Sequence, residues 1–129
     1  MSLHRAAKRG DVTGVVSLLD AGNDINQRDE DGYTPLLVAC FCNQDGVVEV
    51  LLSRGADPNI AANDGYTPLH NAASKGNIGW GRALVAKGAA IDPVDDYGET
   101  PTHRACYWGK SLMAVWLASK GASTTAKNV

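Results

Sequence analysis

The chain has 129 residues, 44% of them hydrophobic and 20% charged, with a formal net charge of −2. That is the length and balance of one globular domain, which excludes a disordered tail and a multidomain enzyme. The slightly acidic total disfavours phosphate-backbone binding by bulk charge, no apolar run approaches the roughly 18 residues of a spanning helix, and the first residues lack a secretory segment. A soluble intracellular protein, cytoplasmic or nuclear, is expected, with neither nucleic acid nor membrane as a partner.

The chain repeats itself with a period of 33 residues, most plainly at Thr34-Pro35, Thr67-Pro68 and Thr100-Pro101. The first unit, about residues 1–28, opens at Leu3-His4 without the Thr-Pro start and is a truncated cap. Its first helix carries the small pair Ala6-Ala7 and stops at Gly10, and its second carries Val15, Leu18 and Leu19 at helical spacing and ends at Gly22. The second unit, about 29–61, begins with a turn at Asp31-Gly32. Thr34 then caps a helix whose first residue is Pro35, where a missing N–H costs nothing. Ala39-Cys40, a stop at Asn43, the apolar stripe Val48, Leu51 and Leu52, and Gly55 follow in the same register.

The third unit, about 62–94, repeats the scheme with Asp64-Gly65, Thr67-Pro68, Ala72-Ala73, Gly76, Leu84, Val85 and Gly88. It also places Gly79 and Gly81 inside its second helix, and an interior Gly costs about 0.5–1 kcal/mol relative to Ala. Residues 78–87 are therefore expected to be the least protected, exchanging amides faster than 46–54. The fourth unit, about 95–128, carries Tyr97-Gly98, Thr100-Pro101, Ala105-Cys106, Gly109, Met113, Leu117 and Gly121. One helix pair cannot bury its own apolar face, so the units must stack into a short solenoid within a single domain, 1–129.

The run Asp64-Gly65-Tyr66-Thr67-Pro68-Leu69-His70-Asn71-Ala72-Ala73, with Gly88-Ala89 downstream, resembles the ankyrin repeat, and the resemblance covers residues 3 to 128. It implies an all-α repeat solenoid of helix-turn-helix units with short β-hairpin loops, a concave recognition face and no chemistry of its own. The pattern departs at Leu36-Leu37 and at Thr102-His103, where the family has Leu-His. The resemblance also makes His70 and His103 scaffold residues that tie a helix start to its neighbours. It gives Asn26, Asn59 and Asp92 a structural place before the next hairpin, and the Asn is a hydroxylation target in many ankyrin proteins, which singles out Asn59.

No catalytic constellation emerges beside this scaffold. His70 and His103 hold one position of successive units, on helices expected about 8–10 Å apart, too far to share a zinc ion with bonds of about 2.1 Å. Cys40 and Cys106 occupy the small core position of Ala7 and Ala73, whereas Cys42 points outward without a base or resolving thiol. Glu30 with Asp31, and Asp95 with Asp96, sit at exposed turn tips where nothing shifts a carboxyl group. No metal, cofactor or catalytic residue is expected.

The positions that the architecture leaves open are the hairpin tips and the outward ends of the first helices, and six of the eight aromatic residues fall there. The candidate partner-binding residues are Glu30, Asp31, Tyr33, Phe41, Asn63, Asp64, Tyr66, Lys75, Asp96, Tyr97, Glu99, Tyr107 and Trp108. Rings not needed for the core and acids at the fingertips point to a monomeric protein-binding module whose partner is another protein, with a basic surface. Two alternatives remain. The apolar last helix (Leu112, Met113, Val115, Trp116, Leu117) fits a structural fragment of a longer scaffold, and Tyr107-Trp108 offers a stacking platform for a nucleotide or other small ligand.

Overall fold

The computed structural model describes residues 2–122, so the end of the fourth unit lies outside the described residues. Eight helices follow one another: α1 (Leu3–Arg9), α2 (Val12–Asp20), α3 (Pro35–Phe41), α4 (Asp45–Ser53), α5 (Pro68–Lys75), α6 (Ile78–Ala86), α7 (Pro101–Tyr107) and α8 (Ser111–Ser119). Each helix start has a local cause. The hydroxyls of Thr34, Thr67 and Thr100 accept from the N–H three residues on, with Pro as the first helical residue, and Ser2 gives the truncated first unit the same cap.

Two layers result. The first helices pack in the row α1, α3, α5, α7, the second helices α2, α4 and α6 in a row behind them, and each pair packs on itself. Ala6, Ala7, Ala39, Cys40, Ala72, Ala73 and Ala105 are fully buried, which lets the first helices approach closely, while Val15, Val47, Leu51, Leu84, Met113 and Leu117 fill the space between layers. Asn43 is the one described non-glycine residue with positive φ, at 59°. It stops α3 as glycine does elsewhere, and its Oδ1 accepts from Lys75 Nζ at 2.7 Å, a bond glycine could not make.

Two sequence expectations need correction. Cys106 is exposed, unlike Cys40, because α7 ends the row and no further helix among the described residues covers its outer side. The fingers contain no strand among the described residues. Two backbone bonds close each finger, one across it (Asp29 N to Tyr33 O, Ala62 N to Tyr66 O, Asp95 N to Glu99 O, all 3.0 Å) and one within its turn (Gly32 N to Asp29 O, Gly65 N to Ala62 O, Gly98 N to Asp95 O), and a single bond joins it to the next, too few for a ladder. Asn26 and Asn59 hold structural places, as the resemblance implies. Their Oδ1 atoms accept from Asp57 N and Ala90 N at 2.9 and 2.8 Å, pinning each unit to the loop of the following one.

Packing divides the two glycines of α6. Gly81 is buried beneath the Trp116 ring, whereas a Cβ built on Gly79 meets only Asn77 Oδ1, at 3.4 Å. Gly79→Ala is therefore expected to stabilise the chain by about 0.5–1 kcal/mol, read as a higher urea midpoint at unchanged slope. A lower midpoint would show that Gly79 is needed for packing.

Candidate interaction face

The sequence repeats its inner-face positions as it repeats its helices. Positions 5, 8 and 9 of each 33-residue unit give Arg5, Lys8 and Arg9; then Val38, Phe41 and Cys42; then Asn71, Ser74 and Lys75; then Arg104, Tyr107 and Trp108. Together with the fingers they make a face that is basic, apolar, polar and aromatic in turn.

Its middle is a connected row of side chains. Tyr33 meets Phe41 edge-on with centroids 5.4 Å apart, Phe41 stacks on Tyr66 at 5.7 Å, and Tyr66 stacks on His70 at 5.1 Å. The Arg104 guanidinium lies 5.5 Å from the centre of the Tyr66 ring. The Tyr66 hydroxyl lies 2.7 Å from Ser74 Oγ and 3.3 Å from His70 O. Burial, with Asp95 and Asp64 nearby, pushes its pKa up although Ser74 and Arg104 act the other way.

Beneath this row lies a polar cluster. Arg104 Nη2 donates to Asp95 Oδ2 at 2.9 Å, and its Nε lies 3.0 Å from Glu99 Oε2. Asp95 is not the exposed tip that the sequence suggested, since its side chain is 1% exposed. Burial alone would raise its carboxyl pKa, but Glu99 N–H, the Arg104 guanidinium and Tyr97 N–H together outweigh burial and hold it below the ordinary value. Asp29 makes the equivalent turn with Oδ1, accepting from the N–H groups of Asp31 and Tyr33.

His70 ties this cluster to the scaffold. Its Nδ1 accepts from Thr67 N–H at 3.1 Å and its Nε2 lies 2.8 Å from Glu99 O, so the ring is a neutral Nε2–H donor. Burial lowers its pKa, outweighing the Glu99 carbonyl and Asp95, which raise it. A folded value below 6.5 means that the unfolded chain takes up the proton first, so stability is expected to fall as pH drops below about 6.5 toward the folded value. Urea midpoints from pH 7.5 to 5 should show that loss, and His70→Gln should reduce it; identical slopes in the two chains would exclude His70 as the cause. His4 Nε2 reaches Tyr33 O at 2.8 Å and His103 repeats the Thr-His cap at Thr100.

The predicted face is thus only partly open. Phe41, Tyr97, Tyr107 and Trp108 are 42%, 69%, 74% and 58% exposed, and Glu30, Asp31, Asn63, Asp64 and Asp96 lie at the surface. Tyr66, Lys75, Asn63 and Glu99 are not side chains that cohesion leaves unused. Lys75 Nζ donates to Cys40 O and Phe41 O at 2.6 and 3.0 Å, closing the end of α3. Asn63 Nδ2 donates to Glu30 O, and Glu99 pairs with Arg104. Replacing Tyr66 therefore disturbs the fold itself. The closed middle leaves two open patches: Tyr33, Val38 and Phe41 beside α1, and the Tyr107–Trp108 pair, edge-on at 5.2 Å, at the other end. Arg5, Val38 and Arg104 escaped the sequence reading, although their spacing by multiples of 33 residues was a usable signal.

Among the described residues no group of three or more His, Cys, Asp or Glu could hold a metal ion, and burial pushes the Cys40 thiol up to about 12. No described helix is long and apolar enough to cross a membrane.

Stacked helix pairs, small-residue rows, Thr-Pro caps and linked fingers define a helical repeat solenoid. The family described as ankyrin repeats, in three copies, matches residues 2–62 and 42–128, and the chain belongs to that family. It is similar to ankyrin repeat family A protein 2 of Homo sapiens and of Bos taurus, 38% identical over 52 residues that make up 40% of this chain and 17% of that protein. It is also similar to protein phosphatase 1 regulatory subunit 27 of Mus musculus, 49% identical over 39 residues, 30% of this chain and 25% of the relative. The aligned part therefore spans a quarter or less of these curated relatives. Ankyrin repeats generally mediate protein–protein interaction and are typically non-catalytic.

Proposed function

We propose that this chain is a non-catalytic binding module that engages a partner protein through the two open patches of its inner face. The observation that carries this reading is the exposure of Phe41, Tyr97, Tyr107 and Trp108 together on the finger and helix-end side. Desolvating such rings is what interface hot spots do, at about 2 kcal/mol or more each. The partner's surface is basic where it faces the fingertip acids Glu30, Asp31, Asp64 and Asp96. A relative named as a phosphatase regulatory subunit supports a protein partner in general terms.

The test compares capture by the intact chain with capture by Phe41→Ala and Trp108→Ala. Each variant is expected to lose at least about tenfold in affinity for captured proteins with little change in thermal midpoint. Undiminished capture by both variants would remove the reading.

A second reading rests on the far side of the last unit. Cys106 and Val115 are exposed there, the latter at 68%. This surface suits a further repeat in a longer scaffold, and sedimentation showing association that grows with concentration would favour it over a monomer.

A further inference from the structure

The patch beside α1 is a well of ≈ 480 Å³ between α1, α3 and the first finger. Val38, Phe41 and Tyr33 supply its apolar walls, and Arg5 and Lys8 stand on its α1 side. Arg5 and Lys8 are three residues apart on one helix, so their charged ends share a face. Neither belongs to an ion pair among the described residues, where Arg54 pairs with Asp20 and Arg104 with Asp95 and Glu99. The acid that lines the well, Asp29, is turned to its own finger, its Oδ1 accepting from Asp31 N–H and Tyr33 N–H. His4, also in the wall, reaches Tyr33 O.

We propose that this well takes an extended segment of a partner protein carrying a bulky apolar side chain next to a carboxylate. This rests on the protein-binding reading above and names the ligand chemistry of one of its two patches. The apolar residue enters between Tyr33, Val38 and Phe41, and the neighbouring Asp or Glu meets Arg5 and Lys8. An extended chain suits this because successive side chains point to opposite sides, so one residue can fill the floor while its neighbour turns to the helix wall. Outside the well the sign differs: Glu30 and Asp31, next in the chain to Asp29 of its lining, are exposed at the fingertip. A uniformly basic segment would meet repulsion from α1, so the recognised sequence is of mixed charge, acidic toward the helix and basic toward the finger.

The experiment selects random dodecapeptides displayed on phage against the whole chain, then measures binding of synthetic versions of the retained peptides by fluorescence anisotropy. Retained peptides should be enriched in Phe, Leu, Ile or Met adjacent to Asp or Glu. Arg5→Gln with Lys8→Gln should weaken them by about tenfold or more, Phe41→Ala should weaken them too, and Trp108→Ala should leave them unchanged. Circular dichroism melts of the variants, all at exposed positions, check that folding is kept. Retained peptides without acids, or peptides that bind the double Gln variant equally well, overturn the proposal while leaving the protein-binding reading intact. Failure to retain any peptide overturns it as well, and capture of a folded partner lost on Phe41→Ala or Trp108→Ala would still uphold the broader reading.

Discussion

Arg104→Ala is expected to lower the unfolding free energy by about 2–4 kcal/mol, more than the loss of an ordinary surface residue. The reason is what stays behind. Asp95, 1% exposed, would keep its two backbone donors from Tyr97 and Glu99 but lose the guanidinium that pairs with it, and Glu99 would lose the same ion pair. The Tyr66 ring loses the same guanidinium. Arg104→Lys should recover only part of the loss, since one ammonium cannot span two carboxylates as Nη2 and Nε do. The pH dependence follows from the depressed Asp95 value. Its stabilisation is fully present above the ordinary carboxyl value of 3.8 and is lost as pH falls through the lower folded value. The deficit of the variant should thus be complete at pH 7 and shrink in acid. Equal urea midpoints at pH 7, or a deficit that ignores pH, would show that the cluster contributes little.

That cluster also marks where reading the sequence stops. The period, the Thr-Pro helix starts, the glycine stops and the buried small pairs are legible because each is a local rule repeated in register. Thr34 caps α3 by the same geometry as Thr67 caps α5. The side chains between units are a different matter. Tyr66 reads as an unused ring because nothing within its own unit needs it, yet Phe41 stacks on it from one side and Arg104 reaches it from the other. Lys75 reads as a surface charge, yet it closes a helix 32 to 35 residues earlier. Cys106 shows the reverse error, a core position by register that lacks its cover. Period fixes where a residue sits, and neighbours one period away decide whether it is available to a partner.

Gly81→Val tests the same distinction with opposite expectations from sequence and structure. Register places Gly81 with Val15 and Val48, both fully buried or nearly so, and helix propensity disfavours glycine. On those grounds valine should stabilise α6. In the folded chain, however, a Cβ at Gly81 would lie 2.8 Å from Trp116 Cζ3, 3.1 Å from Cη2 and 3.2 Å from Met113 Cε. The indole is a rigid plate, unlike the movable tip of a long aliphatic side chain, so valine forces α8 away from α6 or Trp116 off its rotamer. Such overpacking typically destabilises by about 1–3 kcal/mol, enough to cancel the propensity gain and reverse its sign. Trp116→Ala alone should also destabilise, by about 2 kcal/mol or more, because it opens space above the glycine. Combined, the two changes should be far less harmful than their sum, since valine then fills part of the volume the indole vacates. Urea denaturation of the four chains of this cycle measures that coupling. Strict additivity, or a single Gly81→Val chain more stable than the parent, would mean that Trp116 does not pack on Gly81 and that α6 carries a vacancy like the one beside Gly79.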